Sequence, residues 1–429
     1  MVKRHYKSAK NRKKQMRRIA KNQEILRRLK NEKTISFLLG AGFSAPKGYP
    51  IGNQLNEKLL ACTGDNFAFS PEGGICINNN GTKPDLGYKN SYDWYFDFCI
   101  DSIHYYNDRI KSFDYEEFYD YLKEKAVDDS GLRELFINGN YEKNDFENFE
   151  RYINQIDNIY NQLVGFYLED GTGNSWYDDE PTLLKPSFNG YTGFLNCVET
   201  LLKDYSLNVH TLNHDLFFER LNRTEWINGE LCDGFEELGS PFYGKLHCNN
   251  RTYNCRLSRY TGIYNKKLRL YKLHGSKDYY AYYAKKGPYS YPDTYIKTRW
   301  GISNTDFYKE IKKKGKLIEY EKCSINYHPD FLTGTTSKIR RYEEPLLYKR
   351  LFELFKQNLK KAEKLIIIGY GCKDTEINRL IFEEFGIKKP CYIIDPYASK
   401  SVTDFIAKMG TNTKLIKKQI ENLILEDFQ

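Results

Sequence analysis

Short apolar runs, each ending in a polar or glycine-rich turn, recur along the chain. They fall at residues 35–39, 207–212, 269–273, 365–369 and 391–394. The continuous run 35–39, leading straight into a glycine loop, predicts a buried parallel strand, and the others read as strands beside it. Between and beside them the spacing predicts helices over 51–61, 192–204, 345–362 and near 375–385. Strands alternating with helices imply an α/β fold: a parallel sheet with helices on both faces.

Two stretches depart from that alternation. Residues 63–90 are rich in Gly, Asn and Asp and read as loop. Residues 91–168 are aromatic and acidic, with apolar positions at helical spacing (Phe118, Tyr119, Tyr121, Leu122), and predict a mostly helical insertion. The section 222–330 is rich in Tyr, Lys and Asn and predicts hairpins around the strand at 269–273. The expected organisation is a basic segment, 1–33, then one domain, 34–429, with the helical insertion at about 63–190.

Charge changes the picture at one end only. The chain of 429 residues carries a net +9. Residues 1–33 hold fourteen Lys or Arg against Glu24 and Glu32, a net +12, so the remainder is near −3. Such a tail suits a nucleic-acid or acidic-partner arm, or a solubilising or docking helix. Met16, Ile19, Leu26 and Leu29 give it a partial apolar stripe. The tyrosines between 279 and 295, beside Lys285 and Lys286, fit base stacking or, more commonly, strand-face packing. No apolar run is long enough to predict a membrane span, and no signal peptide is legible, so a cytoplasmic location is expected. None of the ten cysteines forms a Cys-x-x-Cys pair, so reduced thiols are expected and no metal site or zinc module.

The candidate chemistry sits at strand ends. Gly40-Ala41-Gly42-Phe43-Ser44 follows the first run, and Gly40-x-Gly42-x-x-Ala45 satisfies the dinucleotide fingerprint in its Ala form. Glycines there let a backbone approach a pyrophosphate, so Gly40, Ala41, Gly42 and Ser44 are candidate cofactor-binding residues. Asn213 and Asp215 follow the second run. Alternate positions share a face, so the two are expected to point together, with His214 turned away and structural. His274 follows the third run, beside Gly275, and histidine is the usual general base near neutral pH. Gly369, Tyr370, Gly371 and Asp374 follow the fourth run, with Asp374 expected as a helix cap, and Asp395 follows the fifth. In open α/β sheets ligands bind outside the carboxyl ends of the strands, where all these positions fall.

Gly-Ala-Gly-x-Ser, then Thr-x-Asn-x-Asp, then His-Gly, then a glycine turn after a late strand resembles the sirtuin superfamily. The resemblance covers roughly 34–60, 205–220, 268–278, 330–336 and 363–397, less than half the chain. It implies a Rossmann-like sheet that binds NAD and breaks its nicotinamide–ribose bond. By that likeness Gly40, Ala41, Gly42 and Ser44 hold the pyrophosphate. Asn213 and Asp215 contact the nicotinamide ribose and carboxamide, His274 is the base, and Gly369, Tyr370 and Asp395 border the adenosine end. The four-cysteine zinc module of protein-deacylating sirtuins is missing, and their Gly-Ile-Pro-Asp-Phe-Arg loop is replaced by Gly48-Tyr49-Pro50-Ile51-Gly52-Asn53. The chain looks more like bacterial sirtuin-like NADases of antiphage defence, which implies an NAD-depleting effector. A separate activating partner, such as a HerA-type ATPase, and a homo-oligomer follow from the same likeness. ADP-ribosyl transfer, protein deacylation, a non-enzymatic NAD or ADP-ribose sensor and a dehydrogenase stand as alternatives.

Overall fold

A computed structural model describes residues 32–429, apart from 72, 79–80, 142–147, 169–187, 189, 249, 287–288, 300, 313–317, 327 and 336. The expected docking stripe between Met16 and Leu29 lies outside the described residues, as does nearly all of the basic segment.

Seven parallel strands form the central sheet: β1 (Thr34–Leu39), β2 (Ser206–Thr211), β3 (Leu231–Cys232), β4 (Leu268–Lys272), β5 (Lys364–Ile368), β6 (Cys391–Ile394) and β7 (Thr413–Ile416). Their spatial order is β7-β6-β5-β1-β2-β4-β3. The chain runs outward from β1 on one side, then returns to β5 on the other. That reversal makes the β1/β5 boundary the switch point of the sheet, where an open α/β fold leaves a crevice.

Both faces are covered, which is why β1 and β5 read as almost unbroken apolar runs, while β2 buries Ser206, Asn208 and His210 on one face. Phe37, Val209, Leu270 and Ile366 pack with Phe194, Leu195 and Val198 of α6 (Thr192–Asp204) on one face. Leu38, Tyr271, Ile367 and Ile393 pack with Leu351, Phe355 and Leu359, from the helix Tyr348–Lys361, on the other. This is the Rossmann-like arrangement expected.

The helices preceding α6 are α1 (Gly52–Leu60), α2 (Ser91–Ile110), α3 (Tyr115–Glu124), α4 (Ser130–Asn138) and α5 (Phe149–Tyr167). Together they enclose a separate aromatic core, with Phe98, Phe118, Tyr152 and Tyr160 fully or almost fully buried. Asn90, Asp114, Asp129 and Asn148 cap α2 to α5 through their side chains. The stretch 63–90 is largely loop, with one small hairpin pairing Ala68–Phe69 and Ile75–Cys76.

The later helices are α7 (Phe217–Arg220), α8 (Ser337–Arg341), α9 (Tyr348–Lys361), α10 (Thr375–Leu380) and α11 (Lys400–Met409). The region 234–322 adds two four-stranded sheets. Tyr279, Tyr280, Tyr282 and Tyr295 are buried there, so they serve packing and are not free to stack on bases. No disulfide joins the cysteines of the described residues.

Candidate active site

The turn after β1 is held from below. The Phe43 ring enters the core, 5.1 Å from Phe194 and 5.5 Å from Tyr191, and the Tyr191 hydroxyl donates to the Phe43 carbonyl. Two single 3₁₀ turns, Ala41–Phe43 and Ala45–Lys47, follow the strand, and the first α-helix begins only at Gly52. The glycine turn therefore does not run straight into a helix N-terminus.

The glycines make a close backbone contact across the switch point. Gly40 N donates to the Ile368 carbonyl at 3.1 Å, and Gly42 N donates to the Gly369 carbonyl at 3.0 Å. A Cβ on Gly40 would stand 2.6 Å from Gly369 O, and one on Gly369 would stand 2.3 Å from Phe43 N. Gly369 also has φ +63°, the left-handed region. Phe43 N and Ser44 N donate to the carbonyls of Gly40 and Ala41. Four of the five N–H groups of residues 40–44 are thus given to protein carbonyls.

The motif after β2 meets this turn. Asn213 Nδ2 donates to Gly40 O at 3.0 Å and to Ser44 Oγ at 2.8 Å. Ser44 Oγ donates to Asp215 Oδ2 at 2.7 Å, while Asp215 Oδ1 accepts Phe217 N at 2.9 Å. Ser44 is almost fully buried, and its hydroxyl is the bridge between the amide and the carboxylate. The expected pairing of Asn213 with Asp215 is indirect, through Ser44.

The third motif lies beside the second because β4 neighbours β2. Leu273 N donates to Thr211 O at 3.0 Å, and Lys277 N donates to His214 O at 3.1 Å. His274 is buried, with Nε2 3.3 Å from the Tyr342 hydroxyl and 3.8 Å from Asp374 Oδ2. Burial, with Lys338 and His214, holds its imidazole well below the usual value against the pull of Asp374. His214 is not remote from this chemistry. Its ring lies 6.3 Å from that of His274 and 4.8 Å from Phe331. Burial, with Lys272 and Lys338, lowers it to about 3.

A buried charge network braces the Asn213–Asp215 turn. Lys272 Nζ donates to the carbonyls of Asp215 and His214 and lies 3.2 Å from Glu219 Oε1. Lys297 extends the network to Asp233 at 2.6 Å and Asp278 at 3.5 Å. The segment Phe331–Gly334 closes the other side: Leu332 N donates to His274 O at 2.7 Å, and Phe331 belongs to the aromatic core that α1 to α5 enclose.

The residues at the expected adenosine end point elsewhere. The Tyr370 hydroxyl donates to Asp374 O at 3.1 Å and to Asn378 Oδ1 at 3.0 Å, so it packs on α10. Asp395 Oδ1 accepts Tyr397 N and Ala398 N and closes the turn after β6. Gly371 is the open position, with nothing within 4 Å of a Cβ there. Asp374 caps α10, accepting Glu376 N and Ile377 N at 3.1 Å each. Sequence reasoning missed Lys338, Tyr342, Lys272 and Glu219. Only the polar residues among the apolar ones hinted at them.

Among the described residues no cluster of three or more His, Cys, Asp or Glu is placed to hold a metal ion, and no helix is long and apolar enough to cross a membrane. No protein-family model matches the sequence, and no curated protein matches it. Solved structures are similar in part. A Sir2 homologue in complex with NAD is 10% identical, with 95% of this chain and 92% of that chain covered and a TM-score of 0.32. A structure concerned with the mechanism and regulation of Sir2 enzymes is 12% identical, with 92% of each chain covered and a TM-score of 0.32. A Sir2 homologue mutant in complex with ADP-ribose is 9% identical, with 94% of each chain covered and a TM-score of 0.34. At these values the likeness adds nothing to what the chain's own residues show.

Proposed function

We propose that the protein is an NAD+ hydrolase that breaks the nicotinamide–ribose bond to give nicotinamide and ADP-ribose. The observation behind this reading is the Asn213–Ser44–Asp215 relay at the ends of β1 and β2, with a neutral, buried histidine at the end of the next strand. An amide and a carboxylate held rigidly suit the ribose hydroxyls and the positive charge that develops on C–N cleavage. A neutral imidazole suits activation of a ribose hydroxyl or water, worth about 10²–10⁴-fold. In this reading the glycine turns at 40–42 and 369 shape the pyrophosphate crevice by their close packing. Ala41 and Gly371 border it, whereas the polar groups of Tyr370 and Asp395 are taken up by α10 and the turn after β6.

The resemblance in motif order to bacterial sirtuin-like NADases supports a cellular role as the NAD-depleting effector of an antiphage defence system. That role calls for an activating partner such as a HerA-type ATPase and a gated homo-oligomer, with the charge of the basic segment 1–33 suited to an acidic protein or a nucleic acid. Product analysis tests the reaction. Incubation with NAD+ should yield equimolar nicotinamide and free ADP-ribose by chromatography. ADP-ribose retained on protein, or nicotinamide released only with an acylated peptide, would replace hydrolysis by transfer or deacylation.

A further inference from the structure

Lys338 is a buried lysine that the proposed chemistry does not use, its side chain only 5% exposed. It stands on α8, just after the Phe331–Gly334 segment that lies against His274. Its Nζ is 2.9 Å from Asp374 Oδ2 and 3.3 Å from Glu116 Oε2. The same Asp374 oxygen lies 3.8 Å from His274 Nε2. The other oxygen of Asp374 caps α10, so the carboxylate cannot turn away without uncapping that helix. Three distant stretches therefore converge on one imidazole: α3 of the helical insertion, α8, and the turn before α10. The groups facing His274 are Asp374, Lys338, Tyr342 and His214.

The order of charges matters. A bare carboxylate beside an imidazole stabilises the protonated ring and removes the base. Here the carboxylate is already engaged by an ammonium at 2.9 Å. Burial works to raise the Asp374 carboxyl, but Lys338, with the capping Ile377 N–H, outweighs it and holds it below its usual value. Burial likewise works to lower Lys338, and Glu116 and Asp374 outweigh that. The Lys338–Asp374 pair is held in its charged form and the histidine in its neutral one, while burial raises Glu116 to about 7, so its hold on Lys338 weakens as pH falls through that value.

We infer that Lys338 is a positioning residue for His274: held by Glu116 of the helical insertion, it pins the Asp374 carboxylate beside Nε2 and keeps the ring in its proton-accepting form. This rests on the reading of His274 as the base. It also gives the insertion a direct connection to the reacting end of the site, because Glu116 is its contribution.

The test is NMR titration of His274 in the ¹⁵N-histidine-labelled full-length protein, which needs no turnover. In the wild type the ring titrates below the ordinary histidine range, as its burial and Lys338 dictate. In Lys338→Met the midpoint rises by about one unit or more, as expected when a carboxylate loses its counter-charge beside a histidine. Lys338→Arg restores the wild-type curve. Lys338→Gln, which keeps hydrogen bonds to both carboxylates, serves if the Met variant does not fold, and it shifts the curve the same way. In the turnover assay the acid limb of kcat/KM moves with the NMR midpoint. An unmoved His274 in a folded Met or Gln variant overturns the inference. A shifted midpoint in a protein that never releases nicotinamide keeps the link and rejects NAD+ cleavage, so the two failures are distinct.

Discussion

Ser44 Oγ donates to Asp215 Oδ2 at 2.7 Å, joining the turn after β1 to the turn after β2 across 171 residues of sequence. With Asn213 donating to the same hydroxyl at 2.8 Å, one serine fixes both groups that face the proposed ribose. Ser44→Ala leaves a half-buried amide and a buried carboxylate each short of a partner. The expected loss is about 1–3 kcal/mol in stability. NAD+ turnover should fall by about tenfold or more, since misplacing a group near the chemistry is costly. Urea denaturation and a nicotinamide assay on the same preparation check both. Unchanged turnover would remove Ser44 from the site.

The contact between the two glycine turns predicts a sharp contrast. Gly369→Ala puts a methyl 2.3 Å from Phe43 N at φ +63° and should cost about 1–3 kcal/mol or more, by thermal denaturation. Gly371→Ala, two residues on and in open space, should change stability by no more than about half a kcal/mol. Equal effects would show that the turns do not meet as described.

Lys272 predicts an effect that a second substitution relieves. It is buried with Glu219, and its ammonium holds the carbonyls of His214 and Asp215. Lys272→Met leaves the buried Glu219 carboxylate with only Lys297, 3.8 Å away, and should destabilise by about 3–5 kcal/mol. Adding Glu219→Gln should recover part of that stability while activity stays low, because the Asn213–Asp215 turn remains unbraced. Recovery of full activity in the double variant would contradict the bracing role.

The buried histidines set a pH dependence. Burial lowers both His210 and His214 to about 3, from an ordinary 6.5. Between those values the unfolded chain binds protons that the folded chain refuses. Stability from these groups is therefore fully present above about pH 6.5 and is lost progressively as pH falls towards about 3. The denaturation midpoint should drop between about pH 7 and about pH 5, and the slope should flatten in a folded His214→Asn variant. A midpoint flat over that range would contradict the burial of these rings.

Much of this was legible in the chain, and the reason is burial. Residues 34–39 and 364–368 are covered on both faces, so their apolar runs are nearly continuous and their ends easy to place, while 206–211 alternates Leu207 and Val209 with buried Asn208 and His210. Thr413–Ile416 escaped because it is an edge strand of four residues with two polar ones, and Leu231–Cys232 because two residues make no pattern. Asn213, Asp215, Ser44 and His274 were readable as strand-end residues. The Lys338–Glu116 contact was not, since it spans 222 positions and neither residue sits in a motif. The glycines at 40 and 42 suggested an open cradle. In the fold they are small because Gly369 lies against them.

Nicotinamide release from NAD+ by wild type, His274→Ala and Asn213→Ala, each checked for folding, is the most direct test of the central claim. The expected result is turnover by the wild type, alone or with the products of neighbouring genes, and its loss in both variants. No release by the wild type under either condition, or undiminished release by folded His274→Ala, would contradict it.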